Sequence, residues 1–518
     1  MMHRALLIED IQHCIFNWIS SKKTLSALSR TCEAFTESAL DAQWRDLDSF
    51  TRLIECMPHD LWSRDLEYDE TAEVQHSIFT LRRPILSSDW AVFQKYSHRV
   101  RSVIGPYTLP SGASLVQMDD PCILSFCSLS APIPLLPNLT VLDWSLHSNV
   151  GILALLHLVS PCLTSLTASM PPNLRLSSEF QSATPISIDQ IRPSLKHFAV
   201  DGDNCYSVNL LNGVARETIM LLAQLPTLRH ATFNIPADFA TYIEALPSPS
   251  PTQKQQFSKL RRLYITHENL ASMAAFLNCF DFHLVEEIGL SPENPSSSLT
   301  MGTQEFFTAL ASSLSPSSIR NMAIYDQFRA SPRVLAARHP LGIHELRPLL
   351  QFRRLQALFL TIPYLIVFDD ALLLEMADAW PHLTTLCLNR RGLWSSGSRI
   401  TPLTFIELLE RCPELEALSI PLDFSAIDCV DFDPLGIGAL RNQDRKRAKL
   451  KELCLGPYMV IHPQAIARFL AAVLPDASDI HMLASKSGKP DAPACRQSML
   501  QINQTYLDIC HGRGRGDI

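Results

Sequence analysis

The chain has 518 residues, a formal net charge of -8, 47% hydrophobic residues and 19% charged ones. That length allows a large core or several domains, and the acidic balance argues against non-specific nucleic-acid binding, which needs basic patches to neutralise phosphates. Glycine is scarce at 17 and proline abundant at 35, which suits helices and strands with proline stops better than a phosphate-cradling loop enzyme.

Glu9 and Asp10 fall where a signal peptide would continue its apolar stretch. The longest apolar runs, near 357–368 and 469–474, are far short of the roughly 18 residues a membrane helix needs. The expectation is a soluble chain, cytoplasmic and/or nuclear, with no membrane partner. Its 14 cysteines are scattered without a C-x-x-C pair or zinc-like spacing, so they read as small buried hydrophobes with no metal site. The sequons at Asn138 and Asn503 carry no meaning in that compartment.

Residues 3–48 read as three short helices. Leu7, Ile11, Ile15, Phe16 and Ile19 form the apolar stripe of the first. Residues 20–23 break it, and Thr24 caps a second helix carrying Leu25 and Leu28. A third, over 33–46, presents Phe35, Ala39, Leu40 and Trp44. A bundle of about 45 residues buries little surface and normally leans on something else.

Leu7, Asp10, Ile11, Ile15, Phe16, Leu25, Leu28, Cys32, Phe35 and Trp44 follow, in order, the pattern of an F-box, and the segment resembles that family. The family's first proline is replaced by Ile8, so the first turn lacks its N1 proline. With the continuation through 40–62 and 82–103, the first hundred residues look like the F-box proteins abundant in mushroom-forming fungi. The resemblance implies that Leu7, Ile8, Ile11, Ile15, Phe16, Leu25, Leu28, Cys32, Phe35 and Trp44 bind a Skp-type adaptor and, through it, a cullin-based ubiquitin ligase.

Residues 49–98 read as a helical linker coupling this unit to the repeats beyond it. One more helix is expected over 49–61, an exposed acidic loop over 63–72 and a strand over 74–81 stopped by Arg83-Pro84. Ser88 is then the expected N-cap of a helix carrying Trp90, Phe93 and Tyr96, with Asp89 in its first turn.

From residue 99 to 485 one phrase, L-x-x-L-x-L, recurs. Twelve instances begin at Leu139, Leu163, Leu195, Leu228, Leu260, Val285, Ile319, Leu355, Leu383, Leu415, Leu450 and Ala477, and a thirteenth at Val100. Seven of the twelve carry proline two residues earlier, at Pro137, Pro161, Pro193, Pro226, Pro381, Pro413 and Pro475, well above an average proline share of about 5%. Proline there ends a preceding helix. The seventh position is polar in nine of the twelve units, counting Tyr325, which with an apolar sixth is the alternation of a half-buried strand. Helical stretches lie between, at 152–159, 215–225, 270–280, 304–314, 371–380, 403–412 and 464–474. The expected architecture is α/β: a three-helix F-box, then an irregular leucine-rich repeat solenoid with a curved parallel sheet inside and helices outside. The spacing of 24 to 36 residues leaves room for protruding insertions at 247–251, 292–300, 331–348 and 423–433, the last followed by a basic run to Lys451 that reads first as a solvated face. Residues 486–518 close the chain as a C-terminal cap with a disordered tail, where the 512–517 glycine–arginine stretch is a frayed end.

No H-E-x-x-H, G-x-S-x-G or P-loop is present, and the 17 histidines are dispersed, so neither an enzyme nor a cofactor is expected. Together these features read as a substrate receptor of a ubiquitin ligase, holding a protein on strand positions exposed by the repeat: Asp143, Asp201, Asn234, Tyr264, Tyr325, Phe359 and Asn389. The alternative is a repeat scaffold without a ligase, its helical start serving only as a cap.

Overall fold

The computed structural model describes residues 8–69, 74–104, 115–128, 131–145, 150, 154, 157–170, 194–202, 216–235, 255–267, 270–292, 303–325, 341–362, 366–367, 369–388, 400–424, 449–455, 463–474, 479–482 and 492–513. Leu7, Asn389, most of the four insertions and the basic run before Lys449 lie outside them. The chain divides into two compact units, Met1–Pro236 with Phe257–Lys259, and Ala237–Gln256 with Leu260–Ile518.

In the first unit the strands Asp46–Leu47, Ser102–Val103, Val141–Ser145, Ser165–Met170, His197–Gly202 and His230–Asn234 pair in parallel, each with the next. In the second unit Arg262–His267, Glu287–Pro292, Asn321–Tyr325, Ala357–Thr361, Thr385–Leu388, Ala417–Ile420, Glu452–Leu455 and Asp479–Met482 do the same. Parallel neighbours need a crossover connection. The second unit supplies it with Leu270–Cys279, Thr303–Ser313, Ile343–Leu346, Asp370–Ala379, Pro402–Arg411 and Pro463–Val473. The protein is thus a mixed α/β fold of parallel sheet with helices outside it.

All twelve phrases begin two residues before a strand. The fourth and sixth positions point inward: Leu358, Leu360, Leu386 and Leu388 are fully buried. Each such leucine contributes on the order of 1.5–3 kcal/mol of burial. The phrase also builds its own junction. The Leu139, Leu163, Leu383 and Leu415 amides donate to the carbonyls of Leu136, Ser160, Trp380 and Cys412 at 3.0–3.2 Å, so Pro137, Pro161, Pro381 and Pro413 each take the second place of a four-residue turn. A φ preset near −65° suits that place. Two amides of each new strand then share one carbonyl of the strand before: those of Thr384 and Thr385 reach Gln356 at 2.7 and 3.0 Å, and those of Glu416 and Ala417 reach Thr384 at 2.7 and 3.1 Å.

The same junction occurs where no repeat was expected. The Arg45 carbonyl accepts the amides of Arg101 and Ser102 at 2.8 and 3.0 Å. Trp44 to Leu47 therefore acts as the first phrase, and the third helix ends at Trp44, not at residue 46, because Asp46 and Leu47 pair with Ser102 and Val103.

Other local expectations shift too. The second helix starts at Lys22, capped by the Ser21 hydroxyl accepting the Thr24 amide at 3.3 Å. The expected helix at 49–61 shrinks to Thr51–Ile54. The acidic stretch read as a loop is a strand, Trp62–Asp69, antiparallel to Val74–Leu81. Its polar residues Arg64 and Asp65 face solvent, as does Leu66, while Trp62 stacks on the buried Phe79 at 4.9 Å. Residues 49–98 are therefore a hairpin plus helices, not a helical linker alone. Helix Ala492–Arg513 closes the chain against the repeat helix before it, with Ile502 and Tyr506 buried and the Tyr506 hydroxyl donating to the Leu474 carbonyl at 2.6 Å.

Helix Ser87–Ser97 is preceded by Leu86, not Ser88, as its N-cap. Buried Asp89 accepts the Leu86 amide at 2.8 Å and both Arg83 Nη atoms at 2.6 and 3.1 Å, and Arg83 Nε also reaches Asp60 at 2.7 Å. The Arg83 hydrogen bonds, joined by that amide, hold the Asp89 carboxyl below the usual carboxylate range. A depressed native pKa gives stability that is present at neutral pH and lost as pH falls through the depressed value. We expect Asp89→Asn to cost about 1–2 kcal/mol at neutral pH, measured by urea unfolding. The gap between variant and parent should close in acid, where the parent's carboxyl is protonated as well; a gap constant with pH would refute the ion pair's part.

Candidate protein-interaction surfaces

Two surfaces stand out. The first is the N-terminal helical unit. Its helices are α1 (Glu9–Phe16), α2 (Lys22–Leu28) and α3 (Glu33–Trp44). Phe16, Leu25 and Ala39 form the inside, with Ile19, Leu28, Phe35 and Ala42 against them. The Phe16 and Phe35 rings meet edge to face at 5.4 Å, and the Ser38 hydroxyl bonds the buried Gln12 amide oxygen at 2.8 Å, tying α1 to α3. Lys22 Nζ reaches the Gln43 and Asp46 carbonyls at 2.6 and 3.0 Å, a cation at the carbonyl end of α3.

Of the residues expected to bind an adaptor, Phe16 and Leu25 are interior, and Ile11, Leu28, Cys32 and Phe35 are half-buried. Trp44 is turned to the body of the first unit, its ring 4.7 Å from that of Tyr96. Ile8 and Ile15 remain outside at 51% and 43% exposure. Beside them stands Trp18, 90% exposed, which sequence reasoning passed over. A tryptophan seven residues after Ile11 and three after Ile15 could have been noticed as continuing the stripe. Its exposure depends on the turn at Asn17 and Trp18, which ends α1 before the stripe does.

The second surface is the open face of the sheet, to which the third, fifth and seventh positions of the phrase belong. In the first unit Asp143 pairs across to Thr167, and Thr167 to Ala199 and then Thr232. Asp143 is largely buried and Asn234 half-buried; Asp201 lies in strand His197–Gly202, and its side chain is outside the described set.

In the second unit the register is closer to a built site. Tyr264, Gly289, Ala323, Phe359, Cys387, Ser419, Cys454 and His481 form one row across eight strands. Tyr264 donates its hydroxyl to Glu287, whose other oxygen lies 3.2 Å from Arg262 Nε. Burial and the Glu287 carboxylate push the Tyr264 phenol well above its ordinary value, and burial chiefly raises Tyr325. The Tyr325 and Phe359 rings lie 6.2 Å apart, tilted by 36°. Tyr325 and Phe359, two of the seven residues expected on this face, are thus brought together, and Tyr264, three strands from Phe359, meets Glu287, which periodicity alone did not single out. Asp143 and Asn234 lie on strands of the other unit.

Among the described residues, no group of three histidine, cysteine or acidic side chains could hold a metal, and no helix is long and apolar enough to cross a membrane.

No protein-family model and no curated protein matches the chain. Among solved structures, it is similar to a chain in the crystal structure of the yeast Rad7 and Elc1 complex, at 10% identity over 72% of this chain and 76% of that one, with a TM-score of 0.35. A likeness at that score carries no functional weight.

Proposed function

We propose that the chain is the substrate-recognition subunit of a Skp–cullin–F-box type ubiquitin ligase. The observation that carries this is that Ile8, Ile15 and Trp18 are left exposed on a helical unit whose own inside is already filled. Exposed tryptophan flanked by isoleucine is the composition of a binding anchor. The F-box-like order of residues in α1 to α3 supports a Skp-type adaptor as the partner, with a cullin beyond it. The parallel repeats, read as leucine-rich, would hold the protein substrate on their open face. The chain itself makes and breaks no bond in this role. It raises the effective concentration of a substrate near the ligase's catalytic partner.

The test is a pull-down of a recombinant Skp-type adaptor with the full chain and with the doubly substituted Ile15→Asp, Trp18→Ala chain. Removing a buried aromatic anchor costs about 2 kcal/mol or more, roughly thirtyfold in affinity. Both positions are exposed, so thermal melting should be unchanged. Unaltered adaptor capture by the double variant would sink the assignment. Truncation after residue 49 is a poorer test, because it removes the strand Asp46–Leu47.

One observation favours a second reading. Since the Arg45 carbonyl already makes the repeat junction, α3 runs into the sheet as a terminal cap does. In that reading the protein is a repeat scaffold without a ligase, and the full chain captures no adaptor at all.

A further inference from the structure

On the reading that the open face holds a protein partner, we propose that the slot above Ala323 takes the basic side chain, lysine or arginine, of an extended segment of that partner.

The slot arises from register. Tyr264, Gly289, Ala323 and Phe359 occupy one row on four adjacent strands. At roughly 4.8 Å per strand, the two aromatic positions stand about 14 Å apart. The Tyr264 ring covers the first interval. A Cβ on Gly289 would meet its Cδ1 at 2.2 Å and its Cε1 at 2.6 Å, so the ring rests where only glycine leaves room. The interval above Ala323 keeps only a methyl group. Phe359 bounds it on the far side, and Tyr325, 43% exposed, stands two residues along from Ala323 with its ring beside that of Phe359. In the third-position row, Glu287 pairs across to Asn321. The slot therefore has aromatic sides, a small floor and a carboxylate at one end.

That combination selects a cation. Ring faces and a carboxylate attract an ammonium or guanidinium, an anion is repelled by Glu287, and a neutral apolar chain gains nothing from the carboxylate. Arg262 already pairs with Glu287, but Arg262 is 60% exposed, and such surface pairs are worth about 0–1 kcal/mol. An incoming cation can share the carboxylate at little cost.

An independent feature points to an extended segment instead of a small cation. Ser291 is 9% exposed, and its Oγ has no hydrogen-bond partner. Thr266, paired with it across the strands, likewise has an unpartnered, buried Oγ1. Both sit at the seventh position of the phrase, on the same open face as Tyr264 and Gly289. Buried hydroxyls without partners are costly, and rotation about χ1 would turn them to the backbone amides or carbonyls of an extended chain lying on that face.

The experiment selects random dodecapeptides displayed on phage against the full-length protein. The winners are then remade as fluorescein-labelled peptides. We expect them to share a lysine or arginine, and its replacement by norleucine to weaken binding about tenfold. Ala323→Leu, which fills the slot from the open face, should weaken it to a similar degree, as should Phe359→Ala; both variants are checked by thermal melting, and either suffices if the other misfolds. Winners without a shared basic residue, or no winners, overturn the proposal. So does binding indifferent to Ala323→Leu and Phe359→Ala. If such binding is still abolished by Thr385→Arg elsewhere on the same face, the partner-holding role of the face survives and the slot alone falls. If Thr385→Arg has no effect either, both fall.

Discussion

Leu358→Ala is expected to destabilise the protein by about 2–5 kcal/mol, whereas Phe359→Ala, one residue along the same strand, should cost about 1 kcal/mol or less. Leu358 sits in the fourth-position row, paired across to Met322 and Leu386, and all three are fully buried. Removing its isobutyl group leaves a cavity that close-packed neighbours fill only in part. Phe359 is half-buried on the open face, where its loss removes one ring contact with Tyr325 and exposes a floor that water can reach. Urea titrations of the two variants, read by their midpoints at constant slope, give the comparison. Equal costs would contradict the two-faced strand on which both the fold and the open-face site depend. Despite its small cost to stability, Phe359→Ala is the variant that should lose partner binding.

Arg99→Met is expected to loosen the N-terminal helices from the rest of the first unit at a cost of about 2–3 kcal/mol. The Arg99 side chain is 7% exposed. It donates to the Asp41 carboxylate, to Glu37 Oε2 at 2.5 Å and to the Glu37 carbonyl at 3.5 Å, all on α3. Methionine keeps much of the volume and removes every one of these bonds. The two carboxylates are partly exposed and can rehydrate, which keeps the cost below that of breaking a fully buried pair. Limited proteolysis should then cut between residues 45 and 49 faster than in the parent. An unchanged cleavage rate would show that the Trp44–Tyr96 contact and the Arg45 junction suffice without Arg99. The pH dependence has a definite sign. The Arg99 hydrogen bond holds the Glu37 carboxyl below the usual range, so the stabilisation is complete at neutral pH and lost as pH falls through the lowered value. Arg99→Met should lack that acid-sensitive component.

These two residues also mark how legible the molecule was. Leu358 could be placed from sequence, because side chains alternate along a strand, so the fourth and sixth positions of each phrase share its buried face. All twelve repeat strands and most of the intervening helices followed from that rule and from proline before the phrase. Arg99 could not be placed. It lies 58 residues from Asp41, and no local pattern marks a contact across that separation.

The hairpin strand Trp62–Asp69 was missed for a related reason. Its polarity belongs to residues that face solvent, and its stability comes from pairing with Val74–Leu81. The expected N-caps at Thr24 and Ser88 were each displaced by two or three residues, because Ser21 and Leu86 precede the first helical turns.

At the candidate sites the division is the same. Sequence order alone placed the three-helix start and the strand positions of Tyr264, Tyr325 and Phe359, since chemical type and spacing are local properties. Tertiary structure decided which of the helical residues remain outside, because Phe16 and Leu25 are consumed by the unit's own interior while Ile8, Ile15 and Trp18 are not. It also decided that Gly289 makes room for the Tyr264 ring and that Glu287 lies within reach of its hydroxyl. Those juxtapositions depend on inter-strand register, and register is set by how successive crossovers pack, which no single phrase of the repeat contains.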